Sequence, residues 1–186
     1  MVHNKGFTLI DVLIALSISA IVFGFAIPSF GDLVKKNQTH TAVNHLSRIL
    51  NYARTLSIST TEVVTICPQQ DEYCGKDWSN GFLIFIDKNN NGKREESEQI
   101  DRIESLTTSS GKLKWAAFGS RYYLKYRPSG SAYQQNGSFT YCPKNNDPHY
   151  AHQIIINHAG RIRLAQDLDK NGVREDSQGK DLMCDF

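Results

Sequence analysis

The sequence lacks the short motifs that mark most enzymes. It has six histidines, but none stands in HExxH or another paired metal-binding spacing, and there is no G-x-S-x-G nucleophile motif. Its four cysteines do not form paired CxxC knuckles, and no DNA- or RNA-recognition motif is present. A short S-x-x-K pattern at residues 109–112 lies in a Ser/Thr-rich loop and is too weak to indicate a site. No enzyme activity is therefore expected.

The chain has little net charge, but that charge is segregated. The 186 residues sum to +2. Residues 112–163, the basic stretch, contain eight Lys or Arg and one acid, Asp147, which gives +7 there and leaves −5 for the remainder. Segregation of this kind bears on surfaces and partners rather than on fold. The length suits one domain with an appendage, and no internal repeat is present.

The even number of cysteines is compatible with two disulfides and an oxidising compartment. Four cysteines allow three pairings. We favour Cys67–Cys74, which closes a short loop, and Cys142–Cys184, which holds the C-terminal tail. Zinc ligation is the alternative, and the cysteine spacings argue against it.

A long apolar run near the N-terminus is the most informative segment. Residues 7–27 contain one charge, Asp11, and as a helix would span about 30 Å, the thickness of a bilayer core. An ordinary secretory signal has a shorter apolar region with its cleavage site after it, whereas here the candidate cut, Gly6–Phe7, lies before the run. A carboxylate in hydrocarbon is costly, so Asp11 is expected to have a partner or a function.

The segment K-G-F-T-L-I-D-V-L-I-A, Lys5–Ala15, resembles the class III signal of type IV pilins and type II secretion pseudopilins. The resemblance implies that a prepilin peptidase cuts after Gly6 and that Phe7 is then N-methylated. It also implies that the carboxylate of Asp11 pairs with the N-terminal amine of a neighbouring subunit during assembly. The family usually has Glu at this place, one methylene longer. A plain transmembrane anchor is the alternative.

The pattern after the apolar run predicts an α+β fold. Pro28 is expected to kink the helix. Apolar residues at three- and four-residue steps predict an amphipathic helix over about residues 31–57. Eight later segments are rich in β-branched and aromatic residues and are separated by turn-forming clusters. These predicted strands are 62–67, 81–87, 99–106, 113–118, 122–127, 138–142, 153–157 and 161–165.

The expected architecture is a long N-terminal helix packed on a small antiparallel β-sheet or sandwich head. Its first half is expected to span the membrane, and its amphipathic second half to pack on the head. The predicted organisation is a cleaved leader (1–6), a transmembrane and assembly helix (7–30), and a periplasmic helix and head (31–186).

Two segments of the predicted head resemble the GspH/FimT/FimU branch of the pilin family. Trp78–Glu95, W-S-N-G-F-L-I-F-I-D-K-N-N-N-G-K-R-E, is similar to a hairpin of that branch, with Phe82 in place of its Trp. His158–Arg163, H-A-G-R-I-R, resembles the Gly-Arg-x-Arg signature of FimT-type proteins. The second resemblance implies DNA capture in natural transformation.

The Gly-Arg-x-Arg element is the candidate DNA site. On a strand Arg161 and Arg163 share one face, with Ile162 on the other, and Gly160 allows a turn before them. Guanidinium groups engage phosphates through two parallel hydrogen bonds, and interleaved tyrosines suit base stacking. A solvated strand edge, with the tyrosines in the core, is the alternative. The basic stretch supplies further candidate contacts: Lys144, Arg121, Lys125 and Arg127.

An acidic loop matches the EF-hand calcium pattern D-x-N-x-N-G-x₅-E. Its candidate ligands are Asp87, Asn89, Asn91 and Glu98. The loop follows a strand rather than a helix, so a plain turn is the alternative. A second copy of the pattern starts at Asp167 but has Gln178 at the twelfth position. No other cofactor is expected.

The sequence thus predicts a minor pilin of the FimT/FimU type. The chain is expected in the inner membrane as a single-pass protein with a periplasmic head, and later in a cell-surface type IV pilus with other major and minor pilins. One alternative is a GspH-like pseudopilin of a type II secretion system. The other is an architectural minor pilin that primes assembly and binds no DNA.

Overall fold

The computed structural model describes residues 6, 8–106, 111–119, 122–132 and 134–186, with the backbone alone for residues 25–29. The chain divides into two compact units, residues 1–37 and 38–186. One helix, α1 (Leu9–Thr60), begins in the first unit and ends in the second. The expected leader residues 1–5 and the expected methylation site Phe7 lie outside the described residues.

The first unit is the start of α1, which opens with a capping box. The Asp11 carboxylate accepts the Thr8 backbone N–H at 2.9 Å and the Thr8 hydroxyl at 2.7 Å, while the Asp11 N–H donates to Thr8 Oγ1 at 3.3 Å. Gly6 is exposed, and the helix continues through Pro28. Among the residues with described side chains, no helix is both long and apolar enough to cross a membrane.

The second unit is built around the C-terminal part of α1, which packs as the predicted amphipathic helix. A stripe of apolar side chains faces inward because it recurs at three- and four-residue steps. The helix ends at Thr60, three residues later than expected, and the next residue, Thr61, has a left-handed φ of 55°. The buried stripe comprises Ala42, Val43, Leu46, Ile49, Leu50 and Ala53.

Within the described residues nine strands follow α1. They are β1 (Val64–Gln70), β2 (Tyr73–Cys74), β3 (Phe82–Ile86), β4 (Ile100–Glu104), β5 (Gly111–Ala117), β6 (Leu124–Tyr126), β7 (Gly137–Pro143), β8 (His152–Ile156) and β9 (Ile162–Leu164). All eight predicted strands are present, with ends displaced by a few residues. The two-residue β2 was not predicted.

The strands form two antiparallel sheets. The first has the order β2-β1-β3-β4, and β6 pairs with the other end of β1. The second has the order β5-β7-β8-β9. Both sheets contribute to one core with α1, so the predicted α+β class is confirmed.

An aromatic cluster joins the two sheets. Trp78, in a short 3-10 helix before β3, meets Phe139 of β7 edge-on at a centroid distance of 4.8 Å. Phe139 in turn lies 4.3 Å from the ring of Trp115 on β5. All three rings are nearly fully buried, so their contacts help to fix the two sheets against each other.

The C-terminal segment, residues 166–186, covers part of the outer face of the second sheet. Val173 and Leu182 pack against Ile155 and Ala165, next to the Cys142–Cys184 disulfide. A second disulfide, Cys67–Cys74, joins β1 to β2. These are the two pairings that the sequence analysis favoured.

Removing the Cys142–Cys184 bridge should cost more stability than removing Cys67–Cys74. The paired cysteines are 42 residues apart in the first case and 7 in the second, and the chain-entropy model gives about 4 against about 2.5 kcal/mol. We expect urea denaturation to rank the Cys142→Ala/Cys184→Ala variant below Cys67→Ala/Cys74→Ala. Non-reducing peptide mapping of the unmodified chain should find both pairs and no free thiol. A free thiol or the reverse ranking would contradict this assignment.

His152 should make stability depend on pH. Its side chain is buried, and its ring meets that of His40 at 5.0 Å. Burial, with the nearby Arg174 charge, lowers the pKa of His152 to about 4 from 6.5. Between about pH 6.5 and pH 4, His152 is therefore protonated in the unfolded chain but neutral in the folded chain. The free energy of unfolding declines as pH falls through that range. In thermal melts the decline should be smaller for His152→Gln, and an unchanged profile would exclude His152 as its source.

Candidate functional site

The outer face of the second sheet carries two rows of side chains beside the C-terminal segment, which packs on Ile155 of the first row and contributes Ser177 to the groove. Strand pairing fixes both rows, because residues in register on neighbouring strands lie side by side on one face. A groove of about 740 Å³ lies along them, and we call it the open groove. The first row is Ala116, Ser138, Ile155 and Arg163. The second lies one residue beyond these strand ends and continues their register: Phe118 and Asn136 share a backbone hydrogen bond, as do Asn157 and Arg161.

The two arginines differ in burial from the residue between them. Arg161 and Arg163 are both exposed, whereas Ile162 is partly buried and packs against the main core. Arg163 lines the open groove directly. Among the described residues, no carboxylate lies within salt-bridge distance of either guanidinium. Two positive charges at the edge of the sheet thus face solvent.

Gly160 holds the turn that presents Arg161. Its φ of +74° lies in the left-handed region, and an added Cβ would overlap the carbonyl oxygen of Gly130. Arg54 of α1 stabilises the same turn. It donates from Nε to the Gly130 oxygen at 2.8 Å and from Nη2 to the Ala159 oxygen at 3.3 Å. The glycine of the motif is therefore required by backbone packing.

The other basic candidates that the structure describes do not line the open groove. Lys144 is exposed in the turn after β7, and Arg127 is half-buried near β6. Arg121 lies outside the described residues. Two further lysines are held by the C-terminal residue: Lys112 donates to the Phe186 carbonyl at 3.2 Å, and the Lys114 ammonium lies 4.8 Å from the Phe186 ring.

The structure corrects the expectation for Lys125, because this side chain is 2% exposed and cannot reach a phosphate. Its ammonium donates to the Asn90 carbonyl at 2.6 Å and lies 3.5 Å from Asp87 Oδ2. The buried Asp87 carboxylate also accepts the Thr65 hydroxyl at 2.6 Å and the Gly92 N–H at 2.9 Å. Lys125 is thus the internal counter-ion of Asp87.

The remaining oxygens of the predicted calcium loop stabilise its turns. Glu98 accepts the backbone N–H groups of Lys88 at 3.0 Å and Glu95 at 3.1 Å. Asn89 accepts the N–H of Asn91, and Asn91 accepts the N–H two residues further on. These hydrogen bonds are those of a plain turn, Lys125 supplies a positive charge beside the loop, and the calcium site stays a prediction.

A second acidic loop gathers carboxylates that the sequence analysis missed. Oxygens of Asp167, Asp169 and Glu175 lie within 4.8 Å of one another. The EF-hand pattern requires an acid at the twelfth position, which is Gln178, whereas the acid that folds back onto this loop is at the ninth. Glu175 is buried and accepts the backbone N–H groups of Leu168 at 2.9 Å and Asp169 at 3.1 Å, so it orders the loop.

Comparison with known protein families gives two matches. Residues 42–160, more than half of the chain, match the family described as Type II transport protein GspH. Residues 1–27 match the Prokaryotic N-terminal methylation motif.

Two fimbrial proteins of Pseudomonas aeruginosa are each 24% identical to the chain over 151 residues, which is 81% of this chain and 96% of theirs. Among solved structures, the type IV minor pilin FimU of Pseudomonas aeruginosa PAO1 has a TM-score of 0.53 at 21% identity, covering 72% of this chain and 92% of that one. The minor pseudopilin EpsH from the Type 2 Secretion System of Vibrio cholerae has a TM-score of 0.49 at 12% identity, covering 68% and 95%. The similarity to FimU shows that the two proteins share a fold.

Replacing Lys125 should destabilise the protein strongly. Lys125→Met leaves the Asp87 carboxylate buried without its counter-ion, and breaking a buried pair in this way costs about 3–5 kcal/mol. Lys88→Met is the matched control, since Lys88 is exposed on the same loop and should change stability by less than about 0.5 kcal/mol. Urea denaturation measures both. Equal, small effects would mean that the pair is not important for folding.

Proposed function

This chain belongs to the GspH family, and from that premise we propose that it is a minor pilin of a type IV pilus that binds DNA through the open groove. Pilin and pseudopilin subunits assemble with other pilins, so such partners follow from the family. The choice of a pilus and the DNA ligand are the proposal.

Assembly through the N-terminal helix is the first part of the proposal. The match to the N-terminal methylation motif supports cleavage after Gly6 by a prepilin peptidase and methylation of Phe7. Apolar side chains of α1 in the first unit are exposed, Leu9 at 78% among them, and offer a surface for other pilin helices. Asp11 pairs with a neighbour's N-terminal amine. The chain enters the inner membrane with its head in the periplasm before it joins the surface pilus.

The DNA ligand is supported by one observation above all: two exposed arginines, Arg161 just before β9 and Arg163 within it, beside a groove whose lining contains no acid among the described residues. Arginine binds phosphate through two parallel N–H···O bonds, and phosphate contacts supply affinity without reading sequence. Binding is therefore expected to be non-specific and sensitive to salt.

A pseudopilin of a type II secretion system is the second candidate, favoured by the description of the matching family. Such a subunit, like an architectural minor pilin, needs no DNA site. The three functions share the helix and the fold, so the behaviour of the groove toward DNA separates the first from the others.

Replacing both arginines should abolish most of the salt-dependent DNA binding. We expect the full chain in detergent to bind a fluorescent duplex at low salt, and Arg161→Gln/Arg163→Gln to bind far more weakly. If each guanidinium contacts one phosphate, the slope of log affinity against log salt should fall by about two. Fluorescence anisotropy at several salt concentrations measures both quantities.

Lys76→Gln/Lys88→Gln provides the control, since it removes the same charge from exposed positions in the loops after β2 and β3. It should retain nearly all binding. If the arginine variant and this control lose binding equally, the groove has no special role. If the unmodified chain binds no DNA, the function is that of a structural minor pilin or pseudopilin.

A further inference from the structure

Phe118 is the most exposed large hydrophobic side chain among the described residues. It is 81% exposed, at the end of β5 in the same row as Arg161. An aromatic ring exposed to water across the open groove from the arginines is not needed in a site that only contacts phosphates. Aromatic side chains beside a basic groove are the features on which unpaired bases stack.

Phe118 forms a ridge between two grooves. On one side lies the open groove, with Arg163 in its lining. On the other lies a groove of about 600 Å³, lined in part by Tyr123, Gln134 and Gln135. Asn136 and His158 line both, as Phe118 does. Phe118 therefore adjoins both grooves, and neither lining contains an acid among the described residues.

Gln135 provides an independent indication of a ligand in the second groove. Its side chain lines that groove although the residue is only 6% exposed. Within the described part of the chain, its Oε1 atom is buried and has no hydrogen-bond partner. A buried acceptor without a donor is costly, and an amino group on the edge of an unpaired base would supply a donor once the amide turns toward the groove.

We propose that this surface binds single-stranded DNA in preference to duplex, with Phe118 stacking a base, Gln135 accepting from a base edge, and Arg161 and Arg163 holding the backbone. The inference rests on the proposed function, since it uses the same arginines. Duplex DNA offers phosphates to the arginines, but its bases are already stacked and paired. Only an unpaired strand uses the ring and the buried amide as well.

The test compares a short single-stranded oligonucleotide with its duplex, each carrying 2-aminopurine, on the full chain in detergent. Single-stranded DNA should bind more tightly, and stacking on Phe118 should quench the 2-aminopurine fluorescence. Phe118→Ala should weaken single-strand binding about tenfold to a hundredfold and leave duplex binding within about twofold. Phe118→Trp should retain both the affinity and the quenching.

Tyr73→Ala is the matched control, because Tyr73 is an exposed aromatic residue on the first sheet. It should change neither binding nor quenching. Equal affinity for the two DNA forms, or equal weakening of both by Phe118→Ala, would overturn the inference and leave the proposed function intact. Loss of self-association by Phe118→Ala without loss of DNA binding would overturn it too, and would make the ring a contact between subunits. Absence of all DNA binding would end the proposed function itself.

Discussion

Side chains on a strand alternate between two faces, and in the second sheet this alternation decides what each face can do. Trp115, Phe139 and Ile154 are buried in the core shared with α1, so their neighbours in sequence must face outward. The C-terminal segment, held by its disulfide, covers one end of that outer face. The open groove is the remainder. Arg163 lines it and Arg161 is exposed two residues earlier, because Ile162 between them packs on the core.

The segregation of charge along the chain overstates the basic surface. Eight Lys or Arg fall in the basic stretch, yet Lys125 neutralises a buried carboxylate and Lys112 binds the C-terminal residue. Of that stretch, Arg161 and Arg163 are the residues that the described structure places together beside the open groove. A linear count measures charge without burial or direction, and only the fold supplies these. The surface that bears on DNA is therefore small and local.

The sequence predicted the fold better than the site, for a physical reason. The stripe on α1, the longer strands and the arginine pair follow from periodicities of a few residues, which the chain displays directly. The Asp87–Lys125 pair and the row that joins Phe118 to Arg161 depend on strand register between distant segments. The folding back of Glu175 depends on loop conformation. No local pattern contains that information, and the very short β2 has too few residues to show a period.

The Gly-Arg-x-Arg element combines two different constraints. Gly160 is fixed by a left-handed φ and by its approach to the Gly130 carbonyl, which Arg54 also binds. This structural role of Gly160 does not depend on DNA binding. The two arginine side chains are under no such packing constraint, because both are exposed. A Gly160 variant that fails to bind DNA would therefore report on the hairpin, whereas the arginines alone report on the ligand. Backbone packing against Gly130 accounts for Gly160 but not for the two arginines, so the arginines are the part of the motif that a function has to account for.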